Sequence, residues 1–179
     1  MKAFVLDLET GPRDDAAQFL EEPTAPGNYK DQAKIAAWME EKKAQQLERA
    51  ALDACTARVL CVGMLREGIP PIFVHDDDEA KLLAEAWTQL GSYEPDEVFV
   101  TFNGTRFDWP MLIRRSYALN VRVPGWVPLD GRWRDSRHVD LMLLWGAGDR
   151  TATISLDTLA RLTGVGAKSG DGGDFARLW

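Results

Sequence analysis

The strongest constraint on how this chain folds lies at its amino terminus, where an apolar run ends in two acids: Phe4-Val5-Leu6-Asp7-Leu8-Glu9-Thr10-Gly11. In a strand, residues two apart share a face, so Asp7 and Glu9 project side by side while Leu6 and Leu8 turn the other way. Two adjacent carboxylates raise each other's pKa and destabilise the fold unless a cation lies between them. The pattern suggests oxygen ligands for a hard divalent metal, with phosphate as the natural third party. An isolated Asp-x-Glu also describes a strand whose polar face happens to carry acids.

A second segment narrows the choice. Val98-Phe99-Val100-Thr101-Phe102 reads as another strand, Asn103-Gly104 as a turn, and Pro110 as a first-turn residue of a helix running to about Leu119. Asp108 therefore opens a helix at the end of a strand. If that strand lies beside the first, a third carboxylate reaches the same edge of the sheet. Taken alone, an Asp in this place is a helix cap.

Along the rest of the chain, residues 13 to 57 interrupt the first two strands. They begin with loop signals at Pro23-Thr24-Ala25-Pro26-Gly27 and continue as a helix from Asp31 to about Asp53, with Ile35, Trp38 and Met39 as its apolar stripe. Tyr29, Lys30, Lys34 and Trp38 could face a cleft as a lid over a single strand; the plainer alternative is that Trp38 and Ile35 dock the helix permanently on the sheet. Residues 58–65 and 69–74 read as strands joined by a hairpin at Arg66-Glu67-Gly68. Asp76-Asp77-Asp78-Glu79 reads as a helix start, and Leu83, Ala86, Trp87 and Leu90 as that helix's buried face before Gly91. The segment from Val121 to Arg137 reads as a long irregular connection. In it Arg122, Arg132, Arg134 and Arg137 interleave with Trp126 and Trp133. That mixture suits either a phosphate backbone with stacked bases or tryptophans pinning the loop to the core. His138 to Trp145 reads as a short strand or helix, and Ser155 caps a helix ending at Gly164.

Composition bounds the function. The 179 residues, 45% apolar and 27% charged, suit one core. No stretch approaches the roughly 18 apolar residues of a membrane helix, and no signal-peptide pattern precedes the first strand. Cys55 and Cys61 make neither a disulfide framework nor a zinc set, and Cys61 reads as a core residue; a cytoplasmic location follows by default. The net charge of −7 argues against coating duplex nucleic acid by bulk electrostatics. It leaves a nuclease open, because acids gathered at a metal site contribute to the total.

Asp7-x-Glu9-Thr10-Gly11, followed about a hundred residues later by Asn103-x-x-x-Phe107-Asp108, resembles the first two motifs of the DEDD (DnaQ-like) superfamily of 3'-5' exonucleases. The second motif is most similar to the exonuclease domain of family B polymerases and its stand-alone bacterial and phage relatives. Further similarity runs through Asn28-Tyr29-Lys30, His138-Val139-Asp140-Leu141-Met142, Ser155 to Ala160 and Lys168-Ser169-Gly170-Asp171-Gly172. The resemblance implies an α/β, ribonuclease H-like fold: a mixed five-stranded sheet flanked by helices. The whole chain, 1–179, is then expected to be one exonuclease-like domain with a helical insertion at 13–57.

The resemblance also implies the chemistry. Two Mg²⁺ or Mn²⁺ ions would serve phosphodiester hydrolysis at the 3' end of single-stranded or frayed DNA, with RNA also admitted. Asp7 would bridge the ions, Glu9 would hold the one carrying the attacking water, and Asp108 would help hold the other. Leu8 and Thr10 would contact the terminal nucleotide, and Asn103 and Phe107 would shape its pocket. A polymerase or another replication or repair protein is the partner implied. The family's third motif, Tyr-x-x-x-Asp or His-x-x-x-x-Asp, does not occur in this sequence. The chain is therefore expected to be cut short of the third-motif helix and impaired in activity, with Asp140, Asp171 and Asp174 as substitute acids or, more simply, as turn, cap or surface residues. A non-catalytic nucleic-acid-binding module of the same fold is the alternative.

Overall fold

Alternation of apolar and polar residues builds the sheet. The computed structural model describes residues 2–129, 137–149 and 151–167. Its strands are β1 (Lys2–Pro12), β2 (Ala57–Arg66), β3 (Ile69–Val74), β4 (Glu97–Thr101) and β5 (His138–Asp140), in the order β3-β2-β1-β4-β5. β2 and β3 form an antiparallel hairpin whose turn holds Gly68 at φ 76°. β1 runs parallel to β4, and β4 parallel to β5. The sheet is thus mixed, as expected. The run 138–145, read as a strand or a helix, is both: β5 passes directly into a helix.

The helices are α1 (Gln32–Arg49), α2 (Glu79–Leu90), α3 (Asp108–Ala118), α4 (Leu141–Gly146) and α5 (Leu156–Thr163). Their limits follow local chemistry. Asp31, Asp78, Asp140 and Ser155 cap α1, α2, α4 and α5 with side-chain oxygens, and Gly164 ends α5 in the left-handed region. The acidic run 76–79 is the helix start the sequence suggests: Asp76 accepts the N–H of Asp78, which in turn accepts those of Ala80 and Lys81. Among the described residues, no helix is long and apolar enough to cross a membrane.

The chain divides into two compact units, residues 1–9 with 59–179, and residues 10–58. In the first, Phe4, Leu6 and Leu8 of β1 are buried, as are Leu82, Leu83, Ala86, Trp87 and Leu90 of α2 and Trp109, Met111 and Leu112 of α3. Trp87 donates its indole N–H to Ser116 at 2.8 Å, so the large ring is buried without an unsatisfied donor. Trp126 stacks on Phe99 with centroids 5.7 Å apart and meets Trp87, Trp109 and Tyr93 edge-on. It pins its loop to the core. Arg137 donates to the Tyr93 hydroxyl at 2.9 Å. Arg132, Trp133 and Arg134 lie outside the described residues.

A buried ion pair ties three elements of this unit together. Glu79 at the start of α2 accepts from Arg115 of α3 at 2.9 and 2.7 Å and from the backbone N–H of Val59 on β2 at 2.8 Å.

The second unit is built on α1, where Ile35, Trp38 and Met39 are half-buried and no residue is fully buried. The Thr56 hydroxyl donates to Ala50 at 2.8 Å, and its carbonyl accepts from the N–H of Arg13 at 2.8 Å. Tyr29, Lys30 and Lys34 are exposed.

Candidate active site

β1 presents its acids on the face opposite its buried leucines: Asp7 is exposed and Glu9 half-buried. Parallel pairing sets β4 beside β1 with Val5 opposite Val100, so the chain leaves β4 next to the acid-bearing end of β1. The six-residue connection 102–107 then delivers Asp108.

That connection is tightly specified. Asn103 takes φ 65°, a left-handed value that asparagine tolerates better than most residues. Its carbonyl accepts the N–H groups of Arg106 and Phe107, each at 3.0 Å. Gly104 packs against Thr101 so closely that a Cβ there would lie 2.3 Å from the threonine hydroxyl oxygen. Phe107 occupies the cap position of α3, yet no side chain caps the helix.

Asp108, the first residue of α3, is only 3% exposed. Its carboxyl does not behave as a cap. It takes hydrogen bonds from its own N–H and from that of Leu8 on the neighbouring strand. Burial pushes its pKa up to about 7, with the charge of Asp7 the next cause and that of Asp140 a further one. Cys61 of β2 feels the same cluster: burial raises its thiol, followed by the charges of Glu9 and Asp7.

Asp7 thus stands near enough to Asp108 for its charge to raise the buried carboxyl, with Glu9 two residues along the strand. No group of three or more His, Cys, Asp or Glu among the described residues is gathered closely enough to form a ready-made metal cage. The donor chemistry nevertheless fits a hard divalent ion. It is all oxygen, and it includes a buried acid whose raised pKa a bound cation would bring down by favouring the ionised form.

The remaining expected residues separate. Leu8 contributes through its backbone N–H while its side chain joins the core. Asn103 and Phe107 are half-buried in the turn. Thr10 belongs to the 10–58 unit, where its hydroxyl donates to Ala51 at 2.7 Å. Asp171, Asp174 and the Lys168 to Gly172 motif lie outside the described residues.

Asp140 is the cap the sequence suggested, and more. Besides the N–H groups of Met142 and Leu143, it accepts those of Asn103 at 2.9 Å and Thr105 at 3.0 Å. Burial opposes its charge, but the bonds from Thr105, Asn103 and Met142 outweigh it and hold the pKa below the usual carboxylate range. Three backbone donors crowd Oδ1, and the N–H and side chain of Thr105 engage the carboxylate as well, so it is a poor substitute ligand. The partners at 103 and 105 are far from it in sequence, which is why local reading missed them.

Beside it, the His138 Nε2 accepts the Trp109 indole N–H at 3.3 Å and lies 2.8 Å from the Thr101 hydroxyl. Indole is a donor only, so this network assigns the neutral ring with its proton on Nδ1. Burial lowers the His138 pKa in the same sense.

A search of solved structures finds the family B DNA polymerase of the hyperthermophilic archaeon Pyrobaculum calidifontis, similar over the whole of this chain with a TM-score of 0.62 and 18% identity. The chain spans 21% of that polymerase's length. At that identity the likeness concerns the fold, which is the mixed-sheet, ribonuclease H-like architecture expected above. No curated protein matches the chain. Residues 57–179, more than half of the sequence, match a family described as predicted 3'-5' exonucleases related to the exonuclease domain of PolB. With β2 through α5 inside the matched span, and a sheet that sets a buried acid from one strand end against the acids of its neighbour, the chain belongs to this family of predicted exonucleases.

Proposed function

We propose that the protein is a metal-dependent 3'-5' exonuclease acting on single-stranded or frayed DNA, with RNA as a second substrate, in the cytoplasm and in company with a polymerase or repair protein. The observation that carries this reading is the buried Asp108 carboxyl, held by the N–H of Leu8 beside Asp7 and pushed up to about 7. This acid is buried next to another one, so its ionised form is costly, and a bound cation would favour that form.

Bound at these carboxylates, Mg²⁺ or Mn²⁺, two ions in the complete site, would polarise the scissile phosphate and lower the pKa of the attacking water. Asp7 and Glu9 hold one side of that position from β1, and Asp108 holds the other from α3. The backbone at Leu8 meets the terminal nucleotide, and Asn103 and Phe107 bound its pocket.

The test is a 5'-labelled single strand incubated with Mn²⁺. Stepwise shortening from the 3' end, abolished by chelator and by Asp7→Ala, is the expected result. Strand binding without shortening would replace this reading with the non-catalytic module.

A further inference from the structure

Asp140 uses its two oxygens for different purposes. Oδ1 accepts from Met142 and Leu143, capping α4, and also from Asn103. Oδ2 is committed to the N–H of Thr105. A helix cap needs only the first oxygen, because one acceptor satisfies the free donors of the first turn. The second oxygen and the Asn103 bond reach instead into the turn that carries Asp108.

The turn is tightly folded on itself, with the Asn103 carbonyl accepting from Arg106 and Phe107, and the bonds from Asp140 tie that folded unit to the end of β5. Asn103 is in a left-handed conformation, Gly104 is pressed on Thr101, and α3 starts without a side-chain cap. Asp140 lies opposite Thr101 in the parallel register of β4 and β5, so its carboxylate stands at the strand end where the turn begins. From Asn103 only five residues lead to Asp108, and Trp109 is tied back to the Gly104 carbonyl at 3.0 Å. A displacement at Asn103 and Thr105 is therefore passed to Asp108 rather than absorbed.

We propose that Asp140 is a positioning residue for the ion-binding acids: its carboxylate fixes the 103–107 turn and thereby holds Asp108 beside Asp7. The claim rests on the proposed reading of Asp7, Glu9 and Asp108 as ion ligands. It assigns Asp140 no contact with ion or substrate.

Two variants remove the same charge but different bonds. Asp140→Ser retains a good cap for α4 and is too short to hold the turn. Asp140→Asn keeps an oxygen for Asn103 and α4 but sets an amide against the Thr105 N–H. Mn²⁺ binding is measured by titration calorimetry without substrate, alongside thermal unfolding and amide exchange at 103–107. Asp140→Ser is expected to lose on the order of ten- to hundredfold in Mn²⁺ affinity, with faster exchange in the turn and an intact α4. Asp140→Asn is expected to lose less.

Equal losses in both variants, with an unchanged turn, would mean that only the charge matters and would overturn the positioning role. So would wild-type affinity in Asp140→Ser while Asp108→Asn abolishes binding. Absence of Mn²⁺ binding by the wild-type protein would overturn the ion-site reading and this role together. If Asp140→Ser fails to fold, Asp140→Asn decides: weakened Mn²⁺ binding with faster exchange at Thr105 supports the role, and weakened binding without it overturns the role.

Discussion

At Asp108 the fold keeps an acid where neither water nor an opposite charge stabilises its ionised form. Its pKa is raised, so between the ordinary carboxyl range and about 7 the folded state retains a proton that the unfolded chain has released. Stability therefore falls as pH rises through that interval, and the loss is complete above it. Asp108→Asn, which keeps an acceptor for the Leu8 N–H, should raise the stability of the metal-free protein at about pH 8 by on the order of a few kcal/mol and change little at about pH 4. Denaturant unfolding at the two pH values checks this, and a destabilised variant at the higher pH would contradict it. Gly104 tests the same turn through sterics. Gly104→Ala sets a methyl 2.3 Å from the Thr101 hydroxyl oxygen and 2.4 Å from its Cβ. Overpacking of this kind typically costs about 1–3 kcal/mol. Calorimetry should show a lower Tm for Gly104→Ala, partly recovered on adding Thr101→Gly.

Among the elements, α2, α3 and β2 are locked by Glu79 and Arg115, whose side chains are 10% and 2% exposed. Breaking such a pair leaves one buried charge alone, typically at a cost of about 3–5 kcal/mol. Arg115→Ala should therefore lower the unfolding midpoint sharply, whereas Arg115→Met with Glu79→Gln should recover part of the loss, because neither change strands a charge. The element limits themselves were legible because their causes are local. Alternation marks β1, the buried face of α2 is spaced at helical period, and Asp31, Asp78, Ser155 and Gly164 announce helix ends. What escaped local reading is long-range. Glu79 reads as a charge suited to a helix start, but its partners lie 20 and 36 positions away. β5 has only three residues, too few to show alternation, and it exists as a strand because Phe99 to Thr101 pair with it. Trp126 had two readings until its neighbours Phe99, Trp87, Trp109 and Tyr93 were seen around it.

For the whole molecule these titrations combine into one pH profile. Glu97, held down by its hydrogen bond from Arg66, and Asp140, held down by backbone donors despite burial, stabilise the fold above the ordinary carboxyl range. That contribution is lost as acid takes the pH down through their folded values. Asp108 works the other way toward neutrality. The metal-free protein should thus be most stable on the acid side of neutrality, and saturating Mn²⁺ should lift the limb above about pH 6 more than the acid limb. Unfolding midpoints collected with and without Mn²⁺ check this; an equal lift at every pH would contradict it. The acids of the candidate site stand in short motifs, and Asp108 does open its helix as its sequence context suggests. Its anchoring by Leu8 and the clamp from Asp140 depend on β1, β4 and β5 being neighbours, which no short window of sequence encodes. The same pairing has a consequence in time. Lys2 to Val5 match Glu97 to Val100 in register, a closure across most of a hundred residues, and contacts so distant in sequence form slowly. During synthesis from the amino terminus, Asp7 and Glu9 emerge long before anything stands opposite them. In a nascent chain Asp108 therefore has no Asp7 beside it until α3 has left the ribosome, and the bonds from Asp140 to its turn wait for β5.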